Sequence, residues 1–95
     1  MSAGQRIDVW LFRARLAKTR AAAARLVAEG GVRLMHQGLT RRLEKPSVEV
    51  APGDALVFAQ PGGLRMVKVE QLPGRRGPAA EARAAYSDLD AGSIA

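Results

Sequence analysis

The sequence predicts an α+β domain: two packed N-terminal helices, then a small, mostly antiparallel sheet of four to five short strands, then a short helical tail. Three observations carry that prediction. Apolar residues recur at helical spacing from Ile7 to Val27. After the pair Gly30-Gly31 the apolar period falls to two. From Pro46 onward, Pro and Gly cut the chain into pieces of strand length.

Residues 1–5 read as a disordered start, and a helical pattern begins at Arg6. Ile7, Trp10, Leu11 and Ala14 follow the i, i+3, i+4, i+7 spacing of one buried stripe. Asp8 falls in the first turn, where a carboxylate suits the helix dipole, and Arg13 and Arg15 close the segment with positive charge. Thr19 is a good N-cap for a second helix, whose inner face is Ala23, Leu26 and Val27 and whose C-cap is Gly30-Gly31. A link of about four residues forces the two helices to turn sharply and pack together. Val32–Met35 reads as a strand, His36-Gln37-Gly38 as a turn, and Leu39–Leu43 as the returning strand. Pro46 stops it, and Val48 and Val50 resume the alternation. Pro52-Gly53-Asp54 is a tight turn before a strand at Ala55–Ala59. Pro61-Gly62-Gly63 turns the chain into a last strand over Leu64–Leu72. Residues 73–78 look like a linker, Ala79–Tyr86 a short helix, and residues 87–95 a frayed tail.

Charge is distributed unevenly. The 95 residues carry a formal net charge of +6. Residues 1–45 hold ten Lys and Arg against Asp8, Glu29 and Glu44, a net of +7, whereas residues 46–72 are at −1 and residues 73–95 are neutral. An excess confined to one segment is expected of a surface for a polyanion: nucleic acid first, an anionic membrane second. The absence of cysteine excludes disulfides, thiol catalysis and cysteine-based zinc sites. No apolar run approaches the roughly 18–20 residues of a membrane span, and Arg13 and Arg15 interrupt any signal-peptide core, so a cytoplasmic protein is expected.

The catalytic inventory is thin. The single histidine, His36, sits in a predicted turn without nearby partners, so a plain turn residue outweighs an RNA contact, and both outweigh catalysis. No phosphate-binding loop, nucleophile elbow or zinc-binding helix motif is present, and no enzyme activity, cofactor or metal is expected. Arginine placement carries the signal instead. Arg13, Arg15, Lys18, Arg20 and Arg25 gather at the end of the first helix, the turn and the second helix. Lys18, Thr19 and Arg20 also lie at a helix N-terminus, where free N–H groups attract phosphate. Arg33 alternates with Val32 and Leu34, and Arg41, Arg42, Lys45 and the hydroxyl of Ser47 follow. A solvated basic face is the competing explanation, weakened because three acids do not balance ten bases. Trp10 could stack on a base, but its spacing puts it in the core.

These blocks resemble a known module. Arg6-Ile7-Asp8-Val9-Trp10-Leu11, Arg15-Leu16-Ala17-Lys18-Thr19-Arg20, Gly30-Gly31-Val32-Arg33-Leu34, Lys45-Pro46-Ser47 and Pro52-Gly53-Asp54 are similar, in that order, to the S4-type RNA-binding domain, also called the alpha-L motif. The Trp10 block, Lys18-Thr19-Arg20, and Arg75-Arg76-Gly77-Pro78-Ala79-Ala80-Glu81-Ala82 with Tyr86 resemble its bacterial heat-shock-protein-15 branch. One departure is the hairpin turn, Met35-His36-Gln37-Gly38, which reads as longer than the Asn-Gly turn usual in that family.

The resemblance implies a domain over residues 6–72, with its motif core at 6–59, and a linker, helix and flexible tail over 73–95. It implies that the helices and hairpin grip structured RNA, specifically ribosomal RNA of the large subunit, and a role with subunits stalled under heat stress. Arg6, Arg13, Arg15, Lys18, Thr19, Arg20, Arg25, Arg33, Arg41, Arg42, Lys45 and Ser47 are the expected RNA-binding set, on a monomer with no membrane partner. Two rival expectations are an RNA-recognition fragment of an RNA-modifying enzyme such as a pseudouridine synthase, and a DNA-binding helix-turn-helix protein. Too few residues follow position 72 to hold a catalytic domain. The Ala-rich second helix offers few groups for reading base edges.

Overall fold

A computed structural model of the chain describes residues 4–89. The first helix, α1, spans Ile7–Arg13 and the second, α2, spans Arg20–Ala28. Thr19 caps α2 as expected: its Oγ1 accepts from the Ala22 N–H at 2.9 Å. At the far end the Gly31 N–H donates to the Leu26 carbonyl and the Gly30 N–H to the Val27 carbonyl, both at 2.9 Å, which is the Schellman pattern. Gly30 supplies the left-handed residue this requires (φ +78). Helix α1 ends the same way. Leu16 N–H bonds the Leu11 carbonyl and Arg15 N–H the Phe12 carbonyl, so Arg15 occupies the left-handed position (φ +60). Six residues, 14–19, join the helices, two more than expected, because this second Schellman turn lies within the link.

The expected helix start at Arg6 moves by one residue, for a tertiary reason. Gln5–Arg6 is a short strand, β1, paired antiparallel with Glu49–Val50, β4. Gln5 therefore belongs to the fold and not to a disordered start, and its Nε2 also donates to the Pro73 carbonyl at 2.8 Å. Residues 1–3 lie outside the described part.

The main sheet is fully antiparallel and five-stranded. Its strands are β2 (Val32–His36), β3 (Leu39–Arg42), β5 (Ala55–Gln60), β6 (Gly63–Val69) and β7 (Tyr86–Leu89), ordered β3-β2-β5-β6-β7. The β2–β3 hairpin is a correction to the longer turn expected. His36 pairs with Leu39, leaving the two-residue turn Gln37-Gly38 with φ of +50 and +81, a type I′ geometry. Gln37 thus takes the place of the usual asparagine without lengthening the loop.

Strand β7 is a second correction. The strand expected to be last, β6, is flanked by residues 86–89, part of which reads as a frayed tail in the sequence. The pairing is fixed by a side-chain cluster: the Arg65 Nε donates to Asp88 Oδ1 at 3.1 Å, and its guanidinium lies 5.2 Å from the Tyr86 ring centroid. The hydrogen bond to the Asp88 carboxylate raises the Arg65 pKa above its ordinary value, so the guanidinium stays charged. Residues 90–95, also expected as tail, lie outside the described part. A short helix, α3 (Ala79–Arg83), precedes β7 and buries Ala82.

The core forms where the helices meet one face of the sheet. Ile7, Trp10, Leu11, Ala14, Ala23 and Val27 pack against Val32, Leu34, Leu56, Phe58, Val67 and Val69, and all are buried. Trp10 is 0% exposed and its indole N–H donates to the Gln71 carbonyl at 2.9 Å. Its polar edge is therefore satisfied inside the protein, and base stacking by this ring is excluded.

Candidate nucleic-acid interface

The predicted basic residues separate into three groups. The first surrounds Asp8, which is 3% exposed. Arg6 meets its carboxylate with two hydrogen bonds, at 3.1 and 3.0 Å, and the Val9 N–H donates to it at 2.8 Å. Arg20 Nε approaches to 3.9 Å from the start of α2. One buried carboxylate so draws guanidinium groups from β1 and α2 together. The linear pattern assigns Asp8 only a helix-dipole role, because nothing in it brings Arg20 to the carboxylate.

The second group, Arg13 and Arg15, holds the C-terminal segment onto α1. Arg13 Nη1 donates to the Pro73 carbonyl at 2.9 Å and Arg15 Nε to the Gly77 carbonyl at 2.7 Å. Arg76 returns the contact: its Nε donates to the Phe12 carbonyl at 3.1 Å and its guanidinium covers the Phe12 ring at 4.9 Å. Residues 73–77 are thus a strap against the first helix, where a free linker was expected. Arg75 and Arg76 come into the same neighbourhood, and no local sequence signal ties them to residues some 60 positions earlier.

The third group is exposed and has no ion pair among the described residues: Lys18, Arg25, Arg33, Arg41, Arg42 and Lys45. Lys18 lies on the turn just ahead of the N-terminal N–H groups of α2, and Arg25 in the last turn of that helix. On the hairpin, cross-strand register decides direction. Arg33 pairs with Arg42, so both leave the sheet on the face away from the helices. Arg42 also lies against the end of α2, where a Cβ at Gly30 would sit 3.2 Å from its Cδ. Arg41 pairs with Leu34 and points to the helix side, beyond the helices themselves. The hairpin cations therefore divide between two faces around one edge, where a single continuous face was expected. Lys45 and Ser47 follow in the exposed loop after β3. The Thr19 oxygen serves as the helix cap, which leaves its hydroxyl hydrogen free to donate outward.

Comparison with known proteins agrees with this architecture. The S4 domain family model matches residues 5–34, the stretch that holds β1, both helices and the start of β2. No curated protein matches the chain. Among solved structures, the trimeric structure of Heat Shock Protein 15 from Vibrio cholerae superposes with a TM-score of 0.79. It is 32% identical, over 96% of this chain and 86% of that one. Identity at that level over nearly the whole of both chains, with an S4 model on the helices, shows that the chain belongs to the heat-shock-protein-15 family of S4-domain proteins.

Proposed function

We propose that the chain is a non-enzymatic adaptor that binds structured RNA, specifically ribosomal RNA of the large subunit, and acts in the cytoplasm on subunits stalled under heat stress. The observation that carries this reading is the third group: six exposed lysines and arginines with no ion pair among the described residues, around α2 and the hairpin. Exposed like charges that no ion pair engages favour a partner whose phosphates displace their counterions. The S4 family match supports RNA as that partner. The scarcity of exposed aromatics favours recognition of RNA shape and backbone over base stacking along a single strand. After Arg20, which turns to Asp8, the exposed start of α2 is Ala21 and Ala22, which offer little for reading a DNA major groove. One chain per RNA site is the proposed unit; the Vibrio cholerae relative is described as trimeric, and light scattering of the RNA complex decides the stoichiometry.

The test is titration of purified large subunits and of free large-subunit RNA with the chain and with a Lys18→Glu, Arg25→Glu variant. Arg20 is left alone because a glutamate there would face buried Asp8 and confound folding with binding. A loss of affinity of tenfold or more, at unchanged thermal stability, is expected. Equal affinity of the two proteins, or duplex DNA competing as well as RNA, would remove the reading.

A further inference from the structure

The hairpin carries a feature that backbone contacts to RNA leave unused. Between β2–β3 and the segment 49–54 lies a cavity of about 440 Å³, lined among others by Leu34, His36, Leu39, Arg41, Val50 and Asp54. This volume falls within the range of small-ligand sites. Its apolar wall is Leu34 and Val50, both buried. Leu39 stands at the lip 76% exposed, a large apolar side chain that nothing in the described fold covers. Arg41 is on the same lip and has no ion pair among the described residues.

The polar end is held in place from below. Asp54 is 4% exposed, and its carboxylate accepts both the Ala51 N–H at 2.9 Å and the Nδ1 side of His36. The ring is thereby fixed while its side chain stays 52% exposed. With Nδ1 turned to Asp54, Nε2 is the ring nitrogen left for a partner. A buried carboxylate that orients a half-exposed ring exceeds what a hairpin end requires, since the Gln37-Gly38 turn already fixes the register.

We propose that this cavity receives one unstacked nucleotide of the bound RNA. The base lies against Leu39 above the floor formed by Leu34 and Val50, its polar edge meets His36 Nε2, and its phosphate meets Arg41. The inference rests on the RNA-binding function proposed above and adds to it a site for a single base. Cation, apolar wall and oriented imidazole within one small cavity, which Glu49 also lines, suit the phosphate, the face and the edge of one nucleotide.

Amide and imidazole NMR shifts of the whole chain, titrated with each of the four nucleoside 5′-monophosphates and separately with inorganic phosphate, test it. At least one nucleotide should shift Leu34, Leu39, Val50 and the His36 ring saturably. Inorganic phosphate should leave those residues in place. Leu39→Asp, at an exposed position that the fold does not need, should weaken the nucleotide response by about fivefold or more. Absence of a response to every nucleotide overturns the proposal, and so does a response that phosphate alone reproduces. The two readings fail separately: large-subunit RNA that binds while no nucleotide enters the pocket removes only the pocket. RNA that does not bind at all removes the function on which the pocket rests.

Discussion

Arg15 holds a backbone conformation that side chains other than glycine seldom adopt, and it does so at the end of a helix where glycine is the usual residue. Such a position costs on the order of 1 kcal/mol or more and persists when surrounding contacts fix it. Here the hydrogen bond to the Gly77 carbonyl does so. Gln37 is the second non-glycine residue with positive φ (+50). Asparagine is better suited to that place in a type I′ turn. Gln37→Asn should therefore raise the unfolding free energy by up to about 1 kcal/mol in urea titration, with no change in m-value. Thr19→Ala should do the reverse. It removes the oxygen that accepts the Ala22 N–H, at a cost of about 1 kcal/mol. RNA affinity should fall along with stability, because the same cap fixes the turn that carries Lys18.

At the scale of elements, the strap at 73–77 and the strand β7 change what counts as the domain. Ala82 and Ala85 are buried, and β7 covers the edge of β6. Truncation after Leu72 would leave β6 as an open edge and release Arg13 and Arg15 from their carbonyl partners. Such a truncated chain should lose several kcal/mol, a large share of the stability of so small a domain, and thermal unfolding followed by circular dichroism would show it. An unchanged midpoint would mean that the strap and β7 contribute little. The short strand pair β1–β4 works on the same principle at the other end. It fixes the chain just ahead of α1, and so the position of Arg6 beside Asp8.

For the whole molecule, charge separates into cations engaged within the fold and exposed cations with no ion pair among the described residues. Arg6 and Arg20 share a buried carboxylate, and Arg13, Arg15 and Arg76 bond to backbone carbonyls. If about five of the remaining cations neutralise phosphates, the logarithm of RNA affinity should fall against the logarithm of salt concentration with a slope of roughly −3.5 to −4.5. A slope near zero in filter-binding or anisotropy titrations would mean that phosphate contacts do not dominate. None of the described helices is long and apolar enough to cross a membrane.

Elements whose causes are local can be placed from the order of residues. Helical spacing at Ile7, Trp10, Leu11 and Ala14 placed the buried stripe, Thr19 and Gly30 placed the ends of α2, and the Pro and Gly turns placed the strands. Each depends on a few consecutive residues, and the basic cluster was visible for the same reason, as a run of charge. Tertiary structure alone decided what depends on contacts across the chain. It brought Arg20 to Asp8, laid residues 73–77 on α1, and recruited residues 86–89 into the sheet. It also sent Arg41 to one face and Arg42 to the other, and closed a cavity between the hairpin and Asp54. Side-chain direction in a strand follows its pairing register, and burial follows packing, so neither is written in the order of residues.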